Sequence, residues 1–267
     1  MSKDVVLFGD SGGIRGLLAV IPPHRIKMIV GAERRPQYLD DLKQLADVVG
    51  AEYCLHPFAK RSEAVAEFSA KVNELDAAYL VINSYSMRVP ASIVNSYQGK
   101  MVNVHYSLLP MNRGPHPENW TLIHGHEKTG VTLHHVASEI DTGSVIFQKE
   151  VAVDQSDTWV SLLSRLSLAA HDHVLQYIGD VVCSQGSFEP GVDQGVAAVT
   201  SNHSLDADYP RLDPVGMTDL QIFNLIRAQV FPLKGAYYEG RSGRHHIDYY
   251  VPLEDIPALR LRIQNMS

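Results

Sequence analysis

Short apolar runs alternate with amphipathic segments through the first half of the chain. "DVVLF" (Asp4 to Phe8) is β-branched and apolar. "GDSGG" follows it, and then the helix-compatible "IRGLLAVI", a strand–glycine loop–helix order. "RIKMIVG" repeats the strand signal, and "QYLDDLKQLADVVG" has helical spacing closed by Gly50. "SEAVAEFSAKVNEL" reads as an amphipathic helix, "AAYLVINS" as a strand, "PASIVNSY" as a short helix opened by Pro90, and "KMVNVHYSL" as a strand. Strands alternating with helices predict a doubly wound, mostly parallel sheet with both faces covered, an α/β Rossmann-like class.

The pattern then changes. "GVTLHHVA" and "SVIFQKEVAV" are extended, with only "SEIDTG" between them. "SDTWVSLLSRLSLAAHDHVLQYIGDVV" predicts a long helix capped at Ser156 or Asp157. Ser, Gly, Asn and Asp dominate the stretch before residue 210, "MTDLQIFNLIRAQV" predicts another helix, and "GAYYEGRSGRHHIDYYV" predicts two aromatic strands around a glycine turn. The expected division is a catalytic α/β domain over residues 1–185, a linker over 186–209, and a small C-terminal α+β unit over 210–267.

Composition narrows the function classes. With 267 residues and 45% hydrophobic content, one large domain with a small appendage fits. Its apolar runs are too short to span a bilayer, and "MSKDVVLFGDSGG" does not read as a signal peptide. Cys54 and Cys183 stand far apart in no motif, so a cytoplasmic setting is expected. A net charge of −7 argues against a nucleic-acid surface. Of thirteen histidines, six lie between His105 and His135.

Candidate chemistry starts at "NVHYSLLPMNRG" (Asn103 to Gly114). Residues two apart on a strand share a face, so Asn103 and His105 do, at the end of a parallel strand where ligands bind. An amide and an imidazole there suit a developing oxyanion; packing satisfied by neighbouring backbone is the competing reading. Ser107 is the nearest hydroxyl. "EIDTG" sets Asp141 in a turn, where its carboxylate would orient the imidazole; a plain turn role is the alternative. "GDSGG" offers Gly9, Ser11 and Gly12 as a cradle for a substrate phosphate at a helix N-terminus, although Asp10 would repel it. The loop is no dinucleotide fingerprint, which disfavours a nicotinamide oxidoreductase. "HGHE" (His124 to Glu127) and "HH" (His134, His135) raise a zinc hydrolase, but without ligand spacing; no metal is expected.

"NVHYSLLPMNRG…TGVTLHHVASEIDTG" resembles the signature of the 10-formyltetrahydrofolate-dependent formyltransferases: Asn-x-His, Ser-Leu-Leu-Pro, Arg-Gly, then an Asp-x-Gly. That resemblance implies Asn103, His105 and Asp141 as the catalytic set and 10-formyltetrahydrofolate as cosubstrate. A neutral amine would attack the formyl carbon. Asn103 and protonated His105 would stabilise the tetrahedral oxyanion, while Asp141 holds His105 and helps relay the amine proton. "YSMRVPASIV" is similar to the segment that receives the pterin ring. By the same resemblance Met87, Arg88, Val89, Pro115 and the loop Ala137, Ser138, Glu139, Ile140 would line the folate pocket.

"RGPHPENWTLIHG" and "NLIRAQVFPLKGAYY" resemble the amino-sugar branch of the family. They imply a nucleotide-linked 4-amino-deoxy sugar as acceptor, with Arg113, His116, Glu118, Asn119 and Trp120 near it; helix capping and core packing are the competing reading. An amino acid, hydroxylamine or other small amine remains open as acceptor, and methionyl-tRNA is disfavoured by the acidic balance. Sugar-modifying relatives pair through C-terminal elements, which implies a homodimer. A non-catalytic folate-binding module is the alternative of a different class.

Overall fold

A computed structural model describes residues 4–195 and 211–266. Residues 196–209 of the expected linker lie outside the described residues.

The chain builds β1 (Val5–Gly9), α1 (Ser11–Leu18), β2 (Ile26–Ala32), α2 (Leu39–Val49), β3 (Glu52–His56), α3 (Ser62–Glu74), β4 (Tyr79–Asn83), α4 (Ala91–Ser96) and β5 (Met101–His105). It continues through α5 (Pro117–Ile123), β6 (Lys128–His135) and β7 (Val145–Ala152). The seven strands form one sheet in the order β3-β2-β1-β4-β5-β6-β7. β1 to β5 run parallel, and β6 and β7 close the edge antiparallel. The doubly wound, mostly parallel expectation holds. β3 is an addition to the sequence reading: "EYCLH" pairs with β2 but leaves Glu52 and Leu55 exposed, so it lacks a continuous apolar run.

One face of the sheet packs Leu7, Val81, Val104 and Leu133 against α1, α2 and the later helices. The other packs Phe8, Val30 and Ile82 against α3 and α4. The long helix begins at α6 (Trp159–Ala169), passes through a π turn over Ala170–Leu175, and continues as α7 (Gln176–Ser184). Its cap is Thr158, not Ser156 or Asp157: the Thr158 hydroxyl accepts from Ser161 N–H in a capping box. Asp157 is buried instead and pairs with Arg165.

The C-terminal unit comprises α8 (Asp219–Arg227), the hairpin β8 (Ala236–Gly240) and β9 (Gly243–Ile247), and α9 (Ile256–Met266). It has its own apolar centre around Leu212, Ile222, Phe223, Ile256 and Ile263. Several hydrogen bonds tie it to the α/β body. Asn119 Nδ2 donates to Ala228 O at 2.6 Å, Trp159 Nε1 donates to Val230 O at 2.7 Å, and Arg227 donates to the carbonyl of Asp154 at 3.1 Å. The hairpin aromatics pack locally: Arg244 lies 4.0 Å over the Tyr237 ring, and Tyr238 stacks on His245.

Candidate active site

β5 ends where the sheet changes from parallel to antiparallel, and its last residues face β6. Register sets Asn103 opposite His134 and His105 opposite Thr132. The strand stops because Ser107 and the following residues curl back. Ser107 Oγ donates to Met111 O at 2.6 Å, and Thr132 Oγ1 donates to Ser107 O at 2.6 Å. Ser107 is fully buried in this turn, which removes it as a nucleophile.

Asp141 enters from the β6–β7 connection in a left-handed conformation, φ 54°. The next turn needs a glycine: a Cβ on Gly143 would lie 1.8 Å from His135 O. The carboxylate is then held from several sides. Gly114 N–H donates to Oδ2 at 2.8 Å, Asn103 Nδ2 donates to Oδ1 at 3.3 Å, and His105 Nδ1 lies 3.5 Å from Oδ2. Asn103, His105 and Asp141 thus converge.

His134 is a fourth member that the sequence reading treated only as a metal candidate. It is buried, its Nδ1–H donates to His135 O at 2.7 Å, and its Nε2 accepts from Asn103 Nδ2 at 3.0 Å. This orients the Asn103 amide with its NH₂ toward Asp141 and His134. Strict alternation along β6 and pairing with Asn103 were the signals that could have found it.

The charges are tuned by burial and neighbours. Burial opposes charge on Asp141, yet His105, His134 and Gly114 N–H together hold its carboxyl well below the usual carboxylate range. Burial pushes the His105 imidazolium down; Asp141 pulls it back up and His134 lowers it further. Among the described residues no group of three or more His, Cys, Asp and Glu side chains gathers as a metal site.

The residues expected to surround this centre divide. Arg88 donates to the carbonyl of Ser138, which brings the Met87–Val89 segment against the Ala137–Ile140 loop. In that loop Ser138, Glu139 and Ile140 are exposed, as is Pro115, whereas Val89 is buried. Ser86 Oγ, beside Met87, is buried with no partner among the described residues. Arg113 donates to Gln194 Oε1 at 2.7 Å, and Gln194 Nε2 donates to the carbonyls of Asp141 and Gly143. Arg113 therefore braces the Asp141 loop. Asn119 and Trp120 are buried, and Asn119 is spent on Ala228.

The β1 loop borders a narrow crevice lined by Gly9, Asp10, Arg35, Ser84, Tyr85 and Ser86. Asp10 caps α1 by accepting from Gly13 N–H at 2.9 Å. A Cβ on Gly9 or Gly13 would lie 2.4 or 2.2 Å from Asn83 O. Ser11 is buried, with its Oγ unpartnered among the described residues. Close packing against β4 accounts for Gly9 and Gly13 but not for Gly12, whose Cβ would meet only Asp10 Oδ1 at 3.6 Å. His116 opens α5 in the left-handed region, φ 57°. Burial, then Arg35 and Arg34, pushes its imidazolium down. Burial pushes the Glu118 carboxyl up.

Comparison with known proteins now adds to this geometry. The formyl transferase family model matches residues 20–178, more than half of the chain. The chain belongs to the formyl transferase family. A methionyl-tRNA formyltransferase of Streptococcus suis is 30% identical over 193 residues, 72% of this chain and 60% of that protein. The chain thus spans about 60% of the length of that curated relative. A sugar N-formyltransferase structure from Shewanella superposes with TM-score 0.72 at 21% identity, covering 94% of this chain and 98% of that one. A phosphoribosylglycinamide formyltransferase structure from Bacillus halodurans gives 0.60 at 23% identity and covers 68% of this chain. At these identities both structures speak for the fold alone. No helix among the described residues is long and apolar enough to cross a membrane.

Proposed function

We propose that the protein transfers the formyl group of 10-formyltetrahydrofolate to a primary amine, and that Asn103, His105 and Asp141 perform the transfer. The convergence of these three groups at the end of β5 carries the reading. His134 completes it by orienting the Asn103 amide.

The residue roles follow from the contacts. Of the two bonds made by Asn103 Nδ2, the 3.3 Å one to Asp141 is the longer, so it is the one exchanged for a carbonyl oxygen that gains charge. Burial keeps the free His105 ring toward its neutral form. Negative charge building beside it makes the neutral imidazole more basic, so the ring takes up the proton lost by the attacking amine and becomes the imidazolium. Asp141, anionic throughout, stabilises that charge, and the imidazolium hands the proton through water to N10 of the folate as its bond to the formyl carbon breaks.

The folate would lie between the Met87–Val89 segment and the Ala137–Ile140 loop, with Pro115 at its border. The unpartnered Ser86 hydroxyl and the link from Arg88 to Ser138 favour a ligand cleft there. The donor group supplies the activated one-carbon unit; the chain supplies orientation and proton handling.

For the acceptor we favour a nucleotide-linked 4-amino-deoxy sugar, entering from the crevice beside Gly9, Ser11, Gly12 and His116. The net charge of −7 and the C-terminal unit support it, since the fold shared with the Shewanella sugar enzyme extends over 94% of the chain. Arg113, Asn119 and Trp120 would shape that side from behind rather than touch the acceptor. The working form would be a cytoplasmic homodimer. The test is turnover with 10-formyltetrahydrofolate and UDP-, GDP- and dTDP-linked amino sugars, glycinamide ribonucleotide, methionyl-tRNA and N-hydroxyornithine. Folate release with one sugar nucleotide alone supports the full reading. Release with methionyl-tRNA alone keeps formyl transfer and overturns the acceptor. Silence with every amine despite folate binding favours a binding module.

A further inference from the structure

We propose that Asn112 is a positioning residue for His105, and that His124 and His126 hold it in that role. The inference rests on the reading of His105 as the group that handles the transferred proton.

The His105 ring lies between two acceptors. Its Nε2–H donates to the backbone carbonyl of Asn112 at 2.9 Å, and its Nδ1 faces Asp141 Oδ2 at 3.5 Å. A carbonyl accepts only, so Nε2 must carry the hydrogen. The Asn112 carbonyl therefore selects the tautomer and leaves Nδ1, on the Asp141 side, as the nitrogen that gains and loses a proton. Where that carbonyl sits decides the aim of the imidazole.

Asn112 is specified twice for this position. Its backbone is left-handed, φ 55°, a conformation that asparagine tolerates far better than most side chains. It is also buried, 1% exposed, so its amide must be satisfied inside the protein. Oδ1 accepts from His124 Nδ1 at 3.2 Å. Nδ2 donates to Thr121 Oγ1 at 3.1 Å and lies 3.4 Å from His126 Nδ1. Thr121 Oγ1 in turn donates to Thr129 Oγ1 at 3.2 Å. One residue is thus bolted to α5, to the turn after it and to β6. Aspartate would lack the donors, and glycine would keep the backbone but lose every bolt.

The titratable groups facing His105 are Asp141 and His134; those facing the Asn112 amide are His124 and His126. "HGHE", which suggested metal chemistry, is thereby given a different task. Its two imidazoles steady the loop behind the site.

The test compares wild type with Asn112→Gly, His124→Ala and His124→Asn, by ring ¹⁵N NMR of labelled histidine and by pH profiles of turnover. Wild type should show His105 as the single Nε2–H tautomer. Asn112→Gly should show both tautomers, a shifted pH midpoint, and kcat lower by about tenfold with little change in KM. His124→Ala should show the same change more weakly, and His124→Asn, which restores a donor to Oδ1, should recover most of it. If Asn112→Gly does not fold, the two His124 variants decide. An unchanged tautomer and pH profile in the folded variants, with only lower stability, would overturn the proposal. A changed tautomer in a protein that transfers no formyl group would keep the positioning role and overturn the functional reading.

Discussion

The loops leaving β1 and β5 look alike in sequence and differ in use. Both follow an apolar strand, both carry short polar residues, and both end at glycine. In the β1 loop Asp10 caps its own helix and Gly9 and Gly13 admit the Asn83 carbonyl, while the Ser11 hydroxyl is left unpartnered among the described residues. In the β5 loop the backbone is anchored by Ser107 and Asn112, and the strand's own Asn103 and His105 meet Asp141. The difference teaches that glycines after a strand can serve close packing alone, whereas at the end of β5 side chains from several elements converge.

The sharpest break between the two loops is catalytic. Asn103→Ala, His105→Ala and Asp141→Asn should each lower formyl transfer by about 10²–10⁴-fold in steady-state kinetics, with the fold retained by circular dichroism. Near-normal rates in all three would remove the contrast. Gly13→Ala should act in the opposite way. Its Cβ meets Asn83 O at 2.2 Å, so thermal melting should register a loss of ~1–3 kcal/mol, while the folded fraction keeps its kcat. A fall in kcat with unchanged stability would return the loop to the substrate.

Asn119→Ala tests the residues between the loops. Losing the bond to Ala228 O should cost about 1–3 kcal/mol by denaturant titration, with acceptor KM unchanged. A rise in KM alone would make Asn119 a substrate contact. The smallest effect is a pH shift. The His105 imidazolium is pushed down, so its ring should take up a proton at lower pH than free imidazole in an NMR titration. Asp141→Asn removes an anion and should lower that midpoint further. His134 works in the lowering direction, so His134→Asn should raise that midpoint. A midpoint that ignores both changes would mean His105 is not electrostatically coupled to the site.

Much of this was legible along the chain. The alternation of apolar and amphipathic runs gave the doubly wound sheet, because a parallel strand buried on both faces needs a continuous apolar stretch. Asn103 and His105 were legible together because a strand's period is two. β3 was not, since an edge strand exposes one face and breaks the run. Nor was the Thr158 cap, since three neighbouring residues carry capping chemistry and only burial of Asp157 separates them. Asn119 and Trp120 read equally well as acceptor contacts and as core; both are buried, and Asn119 donates to Ala228 O of the C-terminal unit, a partner the local sequence does not reveal.

By itself, then, the sequence determined the strand periodicity, the glycine and proline stops, and the residue types at the end of β5, because these depend on local backbone geometry and burial. Tertiary structure alone decided that Asp141 swings onto His105, that His134 turns the Asn103 amide, and that Asn112 is gripped by His124 and His126. These pairings join residues far apart along the chain. Only strand register and the packing of α5 bring their donors and acceptors within hydrogen-bonding distance.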